Sequence, residues 1–151
     1  MDNKYDIAKD WLPRYTGMPV DDFGDYILLT NFQNYVEQFA SRFNVDIQGE
    51  NKPMSSCTNT DGLSIINFGI GSPNAATIMD LLVARNPKGV LFLGKCGGLK
   101  ETSEIGNLIL PIAAIRGDGT SNDYFPPEVP ALPSFKPVTY THLTLPTIVR
   151  V

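Results

Sequence analysis

Histidine is almost absent from this chain of 151 residues. The single one is His142, and the two cysteines, Cys57 and Cys96, have no metal-ligand spacing. Such a pair reads as reduced thiols of a cytosolic protein rather than as a disulfide framework. Long apolar runs are also missing, which excludes a helical membrane span. The opening MDNKYDIAKDW lacks the apolar core of a secretory signal, so the expected compartment is the cytoplasm. Excess positive charge is lacking too. A net charge of −4 argues against a nucleic-acid partner held through its phosphates, although a small anion needs only a few local cations. No internal repeat is visible. What is present is an apolar fraction of 42% in a length sufficient for one domain with a real core.

Residues 1–25 are polar, interrupted by Pro13, Gly17, Pro19 and Gly24, and read as an arm with at most one short helix. Residues 26–30, YILLT, form an apolar run suited to a buried strand. Thr30 or Asn31 then offers a helix cap, and Tyr35, Val36, Phe39, Ala40 and Phe43 recur at helical spacing. Residues 48–62 predict a loop or ragged hairpin, and residues 63–68 a second strand. After Gly69-Ile70-Gly71, Ser72 is placed to cap a helix with Pro73 in its first position. Ala75, Ile78, Met79 and Leu82 form its buried stripe, and Asn86-Pro87 ends it. Residues 90–93 predict a third strand, giving a right-handed βαβ unit with parallel strands. Residues 108–114 predict a fourth, with Pro111 marking an edge or bulge. From Arg116 onward a long proline-bearing loop follows, of a length that is usually functional or disordered. The expected fold is α/β, a mostly parallel sheet flanked by helices.

In such sheets ligands bind beyond the carboxyl ends of the strands. Two glycine-rich turns fall there, residues 69–74 and 94–98. Each reads equally as a ligand cradle or as a tight turn. Two familiar motifs are nearly matched and fail. GVLFLGKC, residues 89–96, has Cys96 where a phosphate loop needs a hydroxyl, and its middle is a strand rather than a loop of exposed amides. Gly69-Ile70-Gly71 opens like a dinucleotide fingerprint, but Asn74 replaces the third glycine and no acidic ribose partner follows.

Four stretches carry a family resemblance: LPRYTGMP, GIGSPNAATIMDLL, LFLGKCGGLK and the long AIRGDGTSNDYFPPEVPALPSF. Their order resembles the nucleoside phosphorylase superfamily, and the first, the last and the GKCGG within the third resemble AMP nucleosidases within it. The resemblance covers residues from about 8 to 136. It implies a nucleoside phosphorylase-like catalytic domain that hydrolyses the N-glycosidic bond of AMP to adenine and ribose 5-phosphate, in purine salvage or adenylate control. It implies a homo-oligomer, up to a hexamer, and no metal or organic cofactor. The chain resembles the short form without an extra N-terminal regulatory domain.

Two departures from the phosphorylases bear on chemistry. Their phosphate turn after the first strand reads Asn31-Phe32-Gln33-Asn34-Tyr35 here, without arginine, and Phe92 stands where another phosphate arginine is usual. A site without those cations leaves room for water as nucleophile. Lys95 replaces a serine of the signature turn, before Cys96 and Gly97, and is read as a contact for the 5′-phosphate or as a solvated turn lysine. Asn31, after the first strand, and Gly71, in the turn of residues 69–74, are candidate substrate contacts, as are Cys96 and Gly97. Arg14, Arg116, Ser121 and Asn122 are further candidates for phosphate or ribose, arginine because its fork donates two parallel hydrogen bonds. Asp118, Asp123 and Glu128 read as solvated carboxylates. Tyr124 and Phe125 read as base-stacking rings or as core under the loop.

The superfamily serves the purine with a late Ser-Asp pair and the ribose with a Met-Glu element. Neither occurs in residues 1–151. No catalytic residue is therefore assigned, and the chain by itself is expected to be inactive, a partial domain over residues 1–136. Residues 137–151, PVTYTHLTLPTIVRV, differ in composition and resemble translated adapter sequence, so His142 is expected to be no part of a site. The alternative readings are a purine nucleoside phosphorylase and a non-catalytic nucleotide-binding module. With later strands missing, residues 63–68 and 90–93 are expected to be partly uncovered.

Overall fold

The computed structural model describes residues 3–133. The expected boundary at residue 136, the tail 137–151 and His142 lie outside the described residues. The chain divides into two compact units, one ending at Gly94 and one starting at Lys95.

The first unit is a mixed sheet between helices. Its strands are β1 (Tyr26–Thr30), β2 (Ser55–Thr58), β3 (Leu63–Asn67) and β4 (Gly89–Leu93), in the order β2-β3-β1-β4. β1 runs parallel to both β3 and β4, and β2 is antiparallel to β3. The ragged hairpin is thus real. Asn59 shapes its turn, its side-chain oxygen accepting from the Asp61 and Leu63 amides at 3.0 and 2.9 Å. The two βαβ strands are parallel as expected, but β1 lies between them.

Side-chain alternation along the strands builds two cores, one on each face. Ile27, Leu29 and Ile66 pack with α1 (Asn3–Thr16) and α3 (Ser72–Leu81) through Ala8, Leu12, Ile78 and Leu81. Leu28, Cys57 and Ile65 face α2 (Gln33–Phe43) through Val36, Phe39 and Ala40. Helix α2 closes on Asn44 in the left-handed conformation, its amide bonded to the Ala40 carbonyl.

Five expectations need correction. Residues 3–16 are a full helix rather than an arm. Ala8, Leu12 and Thr16, four apart, bury one stripe, and that burial outweighs Pro13. The bond Pro13 forfeits belongs to the carbonyl of exposed Lys9, where water substitutes. Gly17, at φ 74°, then ends the helix, its amide bonded to Pro13 O at 2.8 Å. Residues 108–114 form no strand. Pro111 lacks a donor, and only Ala114 pairs, as an isolated bridge with Ala131. Ser72 lies inside α3 and Gly71 occupies the cap. Met79 is half exposed, and Leu81 takes its expected place in the buried stripe. Of the two strands expected to be partly uncovered, only β4 is so, with Leu91 and Phe92 about half exposed; β3 is buried by helices on both faces.

Within the second unit, no residue from 95 to 133 is buried. Its order comes from hydrogen bonds. Ala114 and Ala131 exchange both backbone bonds at 2.9 and 3.0 Å, closing the base of a loop. A short turn of helix over Thr120–Asp123 lies within it.

Candidate functional site

The sheet register sets Asn67, Thr30 and Leu93 in one row at the carboxyl ends of the parallel strands β3, β1 and β4, with Ser55, the first residue of antiparallel β2, beside Asn67. Residues 31–32 lead from this rim to α2 and residues 68–71 to α3, and neither loop carries a lysine or arginine; the chain leaving β4 passes through Gly94 to Lys95, where the second unit starts.

Hydrogen bonds here run through neutral side chains. Thr30 is fully buried, and its hydroxyl oxygen accepts from the Phe32 amide at 3.2 Å, turning the chain into α2. Gln33, in the first turn of α2, accepts twice on Oε1: from Ser55 Oγ at 2.7 Å and from Asn67 Nδ2 at 2.9 Å. Asn67 Oδ1 in turn accepts from the Gly69 amide at 3.0 Å. Gly69 and Gly71 have φ of 80° and 102°, a region that side chains with a Cβ rarely enter, so glycine is required in this turn. Asn74 Nδ2 reaches back to the Ile70 carbonyl at 3.1 Å. Ile70 itself projects into solvent, 84% exposed at the crest of the loop.

Asn31 Oδ1 is buried with no hydrogen-bond partner among the described residues. An acceptor left that way costs about 1–3 kcal/mol, and native structures rarely retain one without a reason. Asn31 and Gly71 are thus brought to one rim, as expected from the sequence. The row that joins them, Gln33, Ser55 and Asn67, was not anticipated. Its members are 22 and 34 residues apart, and only the register reveals them.

Arg14 sits in the last turn of α1. The Lys4–Asp80 ion pair ties the start of α1 to the end of α3, and the Met54 amide bonds Tyr15 O beside Ser55. The last turn of α1 therefore lies at the same end of the sheet as Asn67. Arg14 is exposed and pairs with Asp10 at 2.8 Å.

The amino end of the sheet is built differently. Arg85 donates to Phe23 O at 2.6 Å and to Asp25 at 2.7 Å, and Lys88 Nζ meets the other Asp25 oxygen at 2.6 Å. The Lys88 and Arg85 hydrogen bonds hold the Asp25 carboxyl below its usual range, and Asp25 raises Lys88 in return. A recess of about 350 Å³ opens beside them, lined by Asp21, Asp22, Asn59 and Asp61 among others. The charges of Asp25, Arg85 and Lys88 there are spent on one another.

The remaining candidates fall in the second unit. Lys95, Cys96 and Gly97 are exposed, and a Cβ on Gly97 would meet nothing within 4 Å. Arg116 braces its own loop, donating to the carbonyls of Ser121 at 2.9 Å, Phe125 at 3.1 Å and Pro126. Arg116 Nε and Ser121 Oγ are buried without partners among the described residues, and Asn122 is exposed. Tyr124 and Phe125 are about half exposed and fill no core. Among the described residues, no three His, Cys, Asp or Glu side chains are placed to hold a metal ion. No helix there is long and apolar enough to cross a membrane. Burial pushes the Cys57 thiol up to about 11, which leaves it protonated and inert at neutral pH.

A mostly parallel sheet between helices, with glycine-bent loops and unspent polar groups at its carboxyl end, defines an α/β domain of the kind that takes ligands at that end. The family model of the phosphorylase superfamily matches residues 25–148, and the chain belongs to that superfamily. Within it, the chain resembles AMP nucleosidases. It is 54% identical to the solved AMP nucleosidase of Bacteroides thetaiotaomicron VPI-5482, with a TM-score of 0.85, over 93% of this chain and 59% of that one. It is 28% identical to AMP nucleosidase of Escherichia coli (strain K12), over 89% of this chain and 35% of the relative. Uridine phosphorylase of Treponema pallidum (strain Nichols) is 29% identical over 80% of this chain and 48% of its own length. The chain thus spans about a third to a half of these curated relatives.

Proposed function

We propose that this chain is the nucleotide-binding part of an AMP nucleosidase, which hydrolyses the N-glycosidic bond of AMP to adenine and ribose 5-phosphate. The observation that carries this reading is the neutral rim. Thr30, Asn31, Gln33, Ser55 and Asn67 supply amide and hydroxyl side chains there, and the loops after β1 and β3 hold no cation. Inorganic phosphate, a dianion, is held most strongly by charged donors. A rim of neutral groups favours water. The likeness to AMP nucleosidases supports AMP as the substrate.

Cleavage passes through a cation-like sugar and a leaving purine that needs a proton. The superfamily's Ser-Asp pair for that proton is not found in residues 1–151. On this reading the chain binds AMP and does not turn it over alone, and no cofactor takes part. A cytoplasmic homo-oligomer belongs to the same reading.

The test separates the two nucleophiles. A version extending over the length of the relatives, given AMP without phosphate, is expected to release adenine and ribose 5-phosphate, followed by chromatography. Release that requires inorganic phosphate and yields a sugar 1-phosphate would make the protein a phosphorylase instead. The 151-residue chain is expected to bind AMP without forming adenine.

A further inference from the structure

The row at the strand ends fixes more than the loops. An amide side chain can be placed either way round, and its neighbours decide which end faces where. The Gly69 backbone N–H is an obligatory donor, so the Asn67 atom it meets at 3.0 Å must be Oδ1. Asn67 therefore turns its Nδ2 to Gln33, and the Gln33 atom it meets at 2.9 Å must be Oε1. Ser55 adds a second donor to that oxygen at 2.7 Å. The Gln33 Nε2 group is then the end left over. It is exposed, and no described residue accepts from it.

We infer that Gln33 is a substrate-positioning residue, a neutral amide donor set by Ser55 and Asn67 to bind a hydroxyl oxygen of the ribose. This rests on the proposed nucleotide-binding function. A sugar hydroxyl suits the position better than a phosphate. Residues 26–41 and 53–84, which contain β1, β2, β3, α3 and most of α2, include no lysine or arginine. A neutral acceptor needs only a well-aimed donor, whereas a dianion would find no countercharge in these segments, and Arg14 at the same end of the sheet already pairs with Asp10. Because its orientation is fixed before the ligand arrives, Nε2 loses little freedom on binding.

Gln33→Glu isolates the donor. Glutamate keeps an oxygen for Ser55 and Asn67 and replaces the amide donor by an acceptor. The ¹⁵N-labelled 151-residue chain is titrated with adenosine, AMP and 2′,3′-dideoxyadenosine, followed by NMR. Adenosine is expected to shift the Gln33 side-chain amide pair, identified by its loss in Gln33→Glu. The variant is expected to bind adenosine at least tenfold more weakly. Dideoxyadenosine is expected to bind both proteins equally. An unchanged Asn67 side-chain amide in the variant shows that the row survives. Equal adenosine affinity of variant and parent would overturn the assignment while leaving nucleotide binding intact. A loss confined to AMP would also overturn it, because the donor would then serve the phosphate. Binding of none of the three ligands by the parent chain would overturn both this assignment and the function on which it rests.

Discussion

The two ends of one sheet are built to opposite rules. At the amino end Asp25, Arg85 and Lys88 form a charged clasp in which each group answers another. Gly24 lies against the Gly62 carbonyl, and its amide bonds Ser64 Oγ at 2.8 Å. At the carboxyl end the row of Thr30, Gln33, Ser55 and Asn67 is neutral, two glycines hold left-handed turns, one amide donor is left over and one buried acceptor has no partner. Unspent polar groups cost stability, so their concentration at one end separates the part that holds the fold from the part that meets a ligand.

Substitutions can sharpen or break that contrast. The largest effect is expected from Gly24→Ala at the amino end. Its Cβ would collide with the Gly62 backbone carbonyl, which cannot swing aside as a side chain can. Urea denaturation should show a loss of roughly 3 kcal/mol, the upper end of overpacking. A loss below about 1 kcal/mol would mean that the turn gives way and is no clasp.

Asn31→Ala should behave in the opposite sense. Removing an acceptor that has no partner should leave stability unchanged or raise it by up to about 1 kcal/mol. The affinity for AMP, measured by calorimetry, should fall. A clear loss of stability would assign Asn31 a structural role and erase the contrast at that residue.

The smallest effect is expected from Asp25→Asn. The folded carboxyl lies below its ordinary value of 3.8, held down by Lys88 and then Arg85. The stability it contributes is therefore full above that value and is lost as the pH falls through the lower folded value. The carboxyl is only partly buried and its partner Lys88 is exposed, so solvent screens the contribution and keeps it small. Parent and variant should differ slightly at pH 7 and converge in acid. A difference that persists in acid would point away from charge.

Much of this fold was legible where apolar spacing is local. YILLT, the stripe of Val36, Phe39 and Ala40, and the turn around Gly69 to Gly71 all read correctly because each element carries its own period. Helix α1 was hidden because its support is tertiary: Ala8 and Leu12 are buried by α3 and β1, contacts that no window on residues 1–25 contains. The strand expected at residues 108–114 failed for the complementary reason, since an apolar run becomes a strand only beside another. The candidate site divides the same way. Asn31 and Gly71 stand out from their places in the pattern, whereas Gln33, Ser55 and Asn67 gain meaning only from the register of β2 on β3 and β3 on β1. The stretch most telling of family, residues 114–135, has no buried residue among those described, so it identifies without holding the fold.

Which end of the sheet meets the nucleotide is the most direct test. AMP added to the labelled chain should move the backbone amides of Thr30, Asn31, Gln33, Asn67, Gly69 and Gly71 and leave Asp22, Phe23, Asn59 and Asp61 in place. Shifts gathered instead at the recess beside Asp25 and Arg85, with the carboxyl rim silent, would contradict the account.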